Sequence, residues 1–189
     1  MIKTIPEILN GIQIYLRRLK PSDVSMEYVN WLNDPQVNQY LECRFMTHTL
    51  EDVEKYVDQL AQDKNHFLFG IFNRSNEAHI GNIKLGLIDF HHHRGDIGIM
   101  IGERNYWGKG FATEAIQTMV KFGFDVLKLH KITAGAYANN LGSIRAFEKA
   151  GFRREGARRK HYFLESQNQF VDGVLMGILR TDEFKREIS

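Results

Sequence analysis

The chain has 189 residues, 43% of them hydrophobic and 25% charged, which is typical of a soluble globular protein with a sizeable core. Its formal net charge of +2 gives no reason to expect nucleic-acid binding, and its one cysteine, Cys43, excludes an intramolecular disulfide. We find no signal peptide and no apolar run of the roughly 20 residues that a membrane helix needs. We therefore expect a single domain over residues 1–189, in the cytoplasm and without a membrane partner.

The N-terminal segment predicts a strand and then a helix. Ile12, Ile14 and Leu16 alternate with polar residues, which indicates a half-buried strand. Ser22 is a suitable N-cap for a helix, and this helix should end before Pro35 because the residue before a proline is rarely helical.

A second helix follows a polar and aromatic connection over residues 39–46. Thr49 is a good N-cap, and Val53, Val57 and Leu60 recur at helical spacing. The sequence therefore predicts a helix-loop-helix before residue 66.

The remaining pattern predicts a sheet interrupted by two helices. Three β-rich segments, His66 to Phe72, His79 to Phe90 and Asp96 to Ile101, are separated by turns and indicate an antiparallel meander. After them we expect, in order, a helix from Gly110 to about Leu127, a strand from Ile132 to Ala138, a short helix capped by Ser143, and strands near Gly156 to Leu164 and Val171 to Leu179.

The stretch from Gly98 to Ala115 changes from a strand period to a helix period at its glycines. Gly108 and Gly110 can adopt positive φ, so the chain can turn tightly there. The free N–H groups at the start of the following helix would then point outward, with the positive end of the helix dipole behind them. Such a cradle suits a phosphate or a pyrophosphate.

Spacing separates the phosphate-binding designs that use such a cradle. A Walker loop is excluded, because five residues lie between Gly102 and Gly108 where the motif has four. A dinucleotide fingerprint fits poorly, because Thr113 stands where its third glycine belongs. On glycine spacing alone, a plain loop end before an amphipathic helix fits equally well.

Two motifs in the chain resemble signatures of the GNAT superfamily of acyl-CoA N-acyltransferases. Asn105-Tyr106-Trp107-Gly108-Lys109-Gly110 is similar to its pyrophosphate loop, Q/R-x-x-G-x-G/A, and departs from it only at Asn105. The stretch from Asn139 to Phe152 resembles the second signature, in which N-x-x-S opens a short helix that ends at Gly-Phe. The sequence from Tyr106 to Ala115 is especially similar to that of the branch that contains ribosomal-protein and amino-sugar N-acetyltransferases.

The resemblance covers nearly the whole chain. It implies an α/β (α+β) GNAT fold, with a central mixed, mostly antiparallel sheet flanked by helices in the order β-α-α-β-β-β-α-β-α-β-β. It implies acetyl-CoA as the co-substrate, bound by Ile99, Met100, Ile101, Asn105, Gly108, Lys109, Gly110, Phe111, Ala112, Asn140 and Ser143. We predict no metal, because consecutive strand residues such as His91 and His92 point to opposite faces.

Amine acetylation needs a donor that polarises the thioester carbonyl, a base for the attacking ammonium and an acid for the leaving thiolate. The resemblance implies that a backbone N–H between Ile99 and Ile101 is the donor. It implies Asp96 as the base, since many members have a catalytic Glu at this strand position. The alternative for Asp96 is a solvated or paired strand residue. Direct transfer needs no enzyme nucleophile, and Cys43, with no histidine near it in sequence, is expected to be a small hydrophobe.

The acid has two candidates. Phe147 stands where many members have a tyrosine, and it cannot donate a proton. In the ribosomal-protein branch the N-x-x-S serine takes this role, which would fall on Ser143; a plain helix cap is the alternative. Tyr162 lies where that branch has an acidic candidate, and it can supply a hydroxyl instead.

The resemblance places the acceptor beside the helix-loop-helix and the last hairpin. The implied substrate-binding residues are Tyr40, Glu42, Arg44, Arg158 and Arg159. We predict an N-acetyltransferase that acts on a primary amine by direct attack, with the amino group of a nucleotide-activated sugar as the acceptor. A protein N-terminal amine and, from another class, a non-catalytic acyl-CoA-binding module are the alternatives. The resemblance also admits a homodimer.

Overall fold

A computed structural model describes residues 5–182, whose strands belong to one sheet. The strands are β1 (Ile8–Asn10), β2 (Ile14–Arg18), β3 (Phe67–Asn73), β4 (His79–Asp89), β5 (Arg94–Ile101), β6 (Lys131–Tyr137), β7 (Arg153–Leu164) and β8 (Gln169–Leu179). The α-helices are α1 (Met26–Asn33), α2 (Pro35–Asn38), α3 (Leu50–Gln62), α4 (Phe111–Asp125) and α5 (Leu141–Lys149). The predicted order is confirmed, with the short β1 and the one-turn α2 added to it.

The sheet is antiparallel except at one pair of strands. Its order is β1-β2-β3-β4-β5-β6-β8-β7, and only β5 and β6 run parallel. Their pairing begins at Arg94 with Lys131 and stops at Asp96 with Thr133. Beyond Asp96 the two strands diverge, so the remainder of β5 has a strand partner only on its β4 side.

Each face of the sheet has its own apolar cluster. The larger one packs α4 and α5 on the sheet, with Ile116, Met119 and Phe147 almost fully buried. The smaller one packs α1 and α3 on the other face, where Trp31 and Val57 are buried. Alternation of side chains along β5 therefore directs Ile97 towards α4 and Asp96 towards the α1 and α3 face.

The β1–β2 hairpin is joined to α4 by one carboxylate. Glu114, in the first turn of α4, accepts hydrogen bonds from the backbone N–H groups of Gln13 at 2.8 Å and Ile14 at 3.3 Å, and from that of Ile12. The strand predicted from Ile12 is β2, and it begins at Ile14, because Ile12 lies in the turn and is 86% exposed. This corrects the predicted strand start.

Two of the predicted helix caps are wrong and one is confirmed. Ser22 lies in a 3-10 turn that Asp23 closes by accepting from the Lys20 N–H at 2.8 Å, and the cap of α1 is Ser25. Asn140 rather than Ser143 caps α5, because its side chain accepts from the Ser143 N–H at 3.2 Å. Thr49 caps α3 as predicted.

Candidate active site

A cavity of about 880 Å³ opens where β5 and β6 diverge. It extends from the loop before α4, along β5, to the loop between α2 and α3. The predicted site residues that line it are Tyr40, Glu42, Asp96, Ile99, Met100, Ile101, Gly108, Gly110, Phe111, Ala112, Asn140, Ser143 and Tyr162. The structure thus brings both sequence motifs and most of the predicted catalytic residues together.

The glycine loop forms the predicted cradle at one end of this cavity. Gly108 has φ of 72° and Gly110 has φ of 90°, values that favour glycine. The first bond of α4 runs from the Glu114 N–H to the Gly110 carbonyl at 3.1 Å, so the three N–H groups before Glu114 are not used within the helix. The Trp107 indole N–H donates to the Ile101 carbonyl at 2.7 Å and holds the loop against the end of β5.

Beyond Asp96, β5 presents free backbone groups to the gap. The Gly102 N–H donates to the Ile80 carbonyl on the β4 side, at 3.0 Å. Because the direction of the backbone groups alternates along a strand, Ile99 and Ile101 point theirs the other way, towards β6. Pairing with β6 has already ended there, so the Ile99 N–H and carbonyl face the cavity without a strand partner.

Asp96 is the last residue of β5 that pairs with β6, and its side chain is half-buried in the cavity wall. Its Oδ2 accepts from the Thr133 hydroxyl at 2.7 Å. Burial raises the pKa of the Asp96 carboxyl above its usual range, while the Thr133 hydrogen bond and the positive charges of Lys84 and Arg158 oppose that rise. A raised pKa brings a carboxylate closer to the range that suits a general base.

Glycines leave the floor around Asp96 open. Gly86 lies opposite Asp96 on β4, and Gly98 follows two residues along β5. A Cβ on Gly98 or on Gly135 of β6 would meet no atom within 4 Å. These three glycines and Asp96 share one face of the sheet. The His66 ring covers Gly86, where a Cβ would meet it at 2.5 Å, so the open space beside the carboxylate lies over Gly98 and Gly135.

Tyrosines form the wall opposite the glycine cradle. Tyr137 and Tyr162 stack with their ring centroids 4.0 Å apart, and Tyr40 packs against Tyr137 at 5.6 Å. The Tyr137 hydroxyl donates to Glu42 Oε1 at 2.7 Å. Burial, followed by this bond to Glu42, raises the pKa of Tyr137 to about 12, so the phenol stays protonated at neutral pH.

Arg44, a predicted substrate-binding residue, does not line this cavity, and its guanidinium is already hydrogen-bonded to other residues of the chain. Its guanidinium donates to the Leu41 carbonyl and the Tyr137 hydroxyl, both at 2.9 Å, and to the Phe163 carbonyl at 3.3 Å. It also lies 3.8 Å from Glu42, and only 11% of its side chain is exposed. These contacts fix the loop after α2 against β6 and β7.

Four other predicted residues also lie outside the cavity lining, and all are exposed: Asn105, Lys109, Arg158 and Arg159. Asn105 donates to Glu103 at 3.3 Å, so the residue that departs from the pyrophosphate-loop motif bonds within its own loop. Arg158 lies at 3.4 Å from His161 and near enough to Asp96 to affect its carboxyl.

The two candidate acids both face the cavity. With Asn140 as the cap of α5, the Ser143 hydroxyl has no role in capping, and it has no protein hydrogen bond within residues 5–182. Tyr162 is fixed by stacking on Tyr137 and by lying over Gly173, where an added Cβ would meet its ring at 2.8 Å. Phe147 is 2% exposed and belongs to the core.

Three polar strand residues of the site are not among those predicted from the sequence: Lys84 and Tyr137 line the cavity, and Thr133, outside the lining, donates to Asp96. Each is a polar or ionisable side chain within a strand whose neighbours are apolar. That interruption was the available signal, since a polar residue between buried strand positions needs a partner or a ligand.

A family model described as an acetyltransferase (GNAT) domain matches residues 13–153. The chain belongs to the GNAT family. This acetyltransferase is 36% identical over 187 residues to the probable N-acetyltransferase YjcK of Bacillus subtilis (strain 168), a match that covers 93% of the chain and 99% of that protein. It is 28% identical to the uncharacterized N-acetyltransferase p20 of Bacillus licheniformis, over 93% of the chain and 98% of that protein.

Solved structures agree with the fold of this GNAT protein. A GNAT-family acetyltransferase from Bacillus anthracis superposes with a TM-score of 0.77 at 27% identity, covering 91% of the chain and 98% of that one. The Vibrio cholerae spermidine N-acetyltransferase in complex with CoA and spermine superposes with a TM-score of 0.79 at 24% identity, covering 90% and 97%. The predicted family and fold are confirmed, and the protein is an acetyl-CoA-dependent acetyltransferase. The ribosomal-protein and amino-sugar branch stays a prediction.

Across residues 5–182, no helix combines the length and the apolar character that a membrane crossing requires.

Proposed function

We propose that this acetyltransferase acts on a primary amine by direct attack, with Asp96 as the base. The observation that carries the proposal is the placement of Asp96, a half-buried carboxylate at the point where β5 leaves β6, beside a glycine floor with room for an acceptor. A family member with such a site fits an enzyme better than a non-catalytic acyl-CoA-binding module.

The residues present fit acetyl-CoA, which supplies the thioester. The free N–H groups around Gly108 and Gly110 suit its pyrophosphate, and positive φ at both glycines is what forms this cradle. The Ile99 backbone faces the gap between the strands and suits the amide groups of an extended arm. Asn140 and Ser143 line the same cavity from α5.

In the reaction, Asp96 accepts a proton from the acceptor ammonium, and the freed amine forms a bond to the acetyl carbon as the carbon–sulfur bond breaks. A backbone N–H on β5, with that of Ile99 best placed, donates to the carbonyl oxygen. Ser143 or Tyr162 returns a proton to the leaving thiolate. Cys43 is not a lining residue of the cavity, and burial raises the pKa of its thiol, which disfavours an acetyl-enzyme.

For the acceptor we favour the amino group of a nucleotide-activated sugar. The rings of Tyr40 and Tyr162, which both pack against the buried Tyr137, offer apolar faces for a sugar or a base. Arg158 is exposed near Asp96, where a diphosphate could pair with it. A protein N-terminal amine stays the alternative. The Vibrio cholerae structure is that of a spermidine N-acetyltransferase, but a sequence identity of 24% supports only the shared fold and not a shared acceptor.

The test is the release of free thiol from acetyl-CoA across a panel of amines that includes nucleotide amino-sugars and N-terminal peptides. We expect turnover with at least one nucleotide amino-sugar. Uridine or thymidine diphosphate should compete with the acceptor, and Arg158→Ala with Arg159→Ala should abolish this inhibition. Turnover of peptides without any effect of either nucleotide would move the assignment to a protein N-terminus. Binding of CoA without turnover of any amine would contradict the enzymatic proposal.

A homodimer and a cytoplasmic location stay predictions.

A further inference from the structure

Lys84 is a cation inside the active-site cavity that nothing above assigns. It lies on β4, a central strand, between Ile83 and Leu85, which are both 0% exposed. Its own side chain lines the cavity and is half-buried. The ammonium donates to the Tyr56 hydroxyl at 3.1 Å, and within residues 5–182 it forms no ion pair. Lysines on central strands are rarely buried without a counter-ion, because removing the charge from water is unfavourable.

Among the described residues, no carboxylate of the cavity forms an ion pair with Lys84. Asp96 accepts from Thr133 at 2.7 Å and does not reach ion-pair distance of Lys84. Glu42 accepts from Tyr137 at 2.7 Å and lies 3.8 Å from the buried guanidinium of Arg44. Lys84 therefore acts on Asp96 only at a distance, by lowering its pKa, and its ammonium remains able to bind an anion at the acceptor end of the cavity.

The space next to Lys84 is open. Gly98 stands directly opposite it across the β4–β5 ladder, and a Cβ there would meet no atom within 4 Å. Gly86, two residues along β4 and opposite Asp96, is covered by the His66 ring, which a Cβ there would meet at 2.5 Å. The open floor is therefore the space over Gly98, which lies beside both Lys84 and Asp96 and can hold a ligand atom.

We propose that Lys84 binds an anionic group, a carboxylate or a phosphate, on the same acceptor molecule whose amine is deprotonated by Asp96. This inference rests on the proposed function and narrows its acceptor to anion-bearing amines. Lys84 would pair with the anion by a charge-assisted hydrogen bond, which fixes the acceptor while its amine faces Asp96. Nucleotide-activated amino-sugars and amino acids satisfy this requirement. Amines without an anionic group do not.

The first experiment compares acceptors in pairs that share a carbon skeleton and differ in whether they carry an anionic group, and the comparison of Lys84→Met with the wild type cancels the difference in amine basicity within each pair. One pair is an α-amino acid and its amide, and the other is an aminoalkyl phosphate and the corresponding amino alcohol. We expect the wild-type kcat/KM to favour the anionic member, and Lys84→Met to reduce this preference by roughly 10- to 100-fold, mainly through KM. The ratio within a pair cancels the influence of Lys84 on the Asp96 carboxyl, since both acceptors meet the same base.

Two variants serve as controls. Lys84→Arg keeps the charge and should retain most of the preference. Lys121→Met removes an exposed lysine of α4 that does not line the cavity, and it should leave the preference unchanged. Equal kcat/KM within both pairs for the wild type, or an equal loss on both members of a pair in Lys84→Met, would overturn the proposal.

A second readout does not depend on catalysis. Calorimetry of the CoA-loaded protein with inorganic phosphate and with acetate should show binding of at least one anion, weakened about 10-fold or more in Lys84→Met. The anion that binds distinguishes a phosphate-bearing from a carboxylate-bearing acceptor. Absence of binding for both anions, or equal binding by the variant, contradicts the role of Lys84. Anion binding without thiol release from any amine would instead contradict the proposed function alone.

Discussion

At the scale of single residues, Asp96 is subject to opposing influences on its carboxyl. Burial favours the protonated form, whereas Thr133, Lys84 and Arg158 favour the carboxylate, and burial prevails. The base form is therefore lost, as the pH falls, at a higher pH than for an ordinary aspartate.

Asp96→Asn keeps the shape of the side chain but removes the proton acceptor. We expect turnover to fall about 100-fold or more at neutral pH, with acetyl-CoA affinity retained. In the wild type, kcat/KM should decline as the pH falls through the raised pKa of Asp96, and Lys84→Met should move this decline to higher pH because it removes a stabilising positive charge. Steady-state rates against pH provide the check, and a full rate for Asp96→Asn at every pH would make Asp96 a structural residue.

The cradle depends on two glycines with positive φ. Gly108→Val or Gly110→Val should weaken acetyl-CoA binding by ~2–4 kcal/mol, from backbone strain and lost N–H contacts. Gly156→Val is the matched control, since a Cβ there also meets no atom within 4 Å but its φ is not in the left-handed region. Isothermal titration calorimetry measures the affinity. Unchanged affinity in a folded Gly110 variant would show that the loop does not hold the pyrophosphate.

At the scale of elements, α1 rests on the end of β5 through one close contact. A Cβ on Gly102 would lie 2.0 Å from Trp31 Cδ2, so Trp31 of α1 requires a glycine at this position. The helix that borders the acceptor loop is thereby fixed relative to the strand that carries Asp96.

Gly102→Ala should lower the free energy of unfolding by about 1–3 kcal/mol, because the buried indole has to shift. Gly98→Ala on the same strand has open space above it and should change that free energy by less than about 0.5 kcal/mol. Chemical denaturation of both variants gives the comparison. The double variant Gly102→Ala with Trp31→Leu should be less destabilised than the sum of its single changes, and simple additivity would argue against the contact.

Local patterns predicted most elements, because apolar periodicity and turn residues act over short range. Thr49 is a cap that the sequence predicts correctly, and its partner Asp52 lies within the same turn. The predicted strand start at Ile12 is wrong because the carboxylate of Glu114, 102 residues away in the sequence, holds Ile12 in a turn. A contact between residues so far apart cannot be read from the local pattern.

Side-chain competition explains the remaining misses. Ser22 and Ser25 are both good caps, and the choice between them depends on the bond from the Lys20 N–H to Asp23. Arg44 has the residue type that binds phosphates, yet the fold directs its guanidinium to Tyr137 and to backbone carbonyls. Which partner an arginine finds is decided by tertiary contacts that no local pattern encodes. The cavity itself depends on the divergence of β5 and β6, which only the family resemblance implied.

At the scale of the whole molecule, stability depends on an enclosed histidine outside the catalytic cavity. The His79 ring lies among Tyr28, Trp31 and Phe72, and its Nε2 contacts Asn82 Oδ1 at 2.9 Å. Burial is the main cause that lowers the pKa of His79 below its usual value.

The unfolded chain therefore binds a proton at His79 at a higher pH than the folded chain does. The free energy of unfolding should be highest above pH ~6.5 and fall as the pH decreases from there towards the lowered pKa, with a slope of up to about 1.4 kcal/mol per pH unit from this group. Denaturation between neutral and mildly acidic pH measures it. His79→Gln should flatten the slope, whereas His92→Gln, in an exposed turn, should not; equal slopes in both variants would refute this account.

The divergence of β5 and β6 also has a mechanical consequence. Within the sheet, strands β1 to β5 are joined to strands β6, β8 and β7 by three residue pairs, and the apolar core under α4 and α5 supplies the remaining contacts between the two groups of strands. The cavity is lined by residues from both groups. A molecule bound there contacts both groups of strands where they do not pair with each other, so we expect bound substrate to reduce motion between β5 and β6 as well as to supply the reacting groups at Asp96.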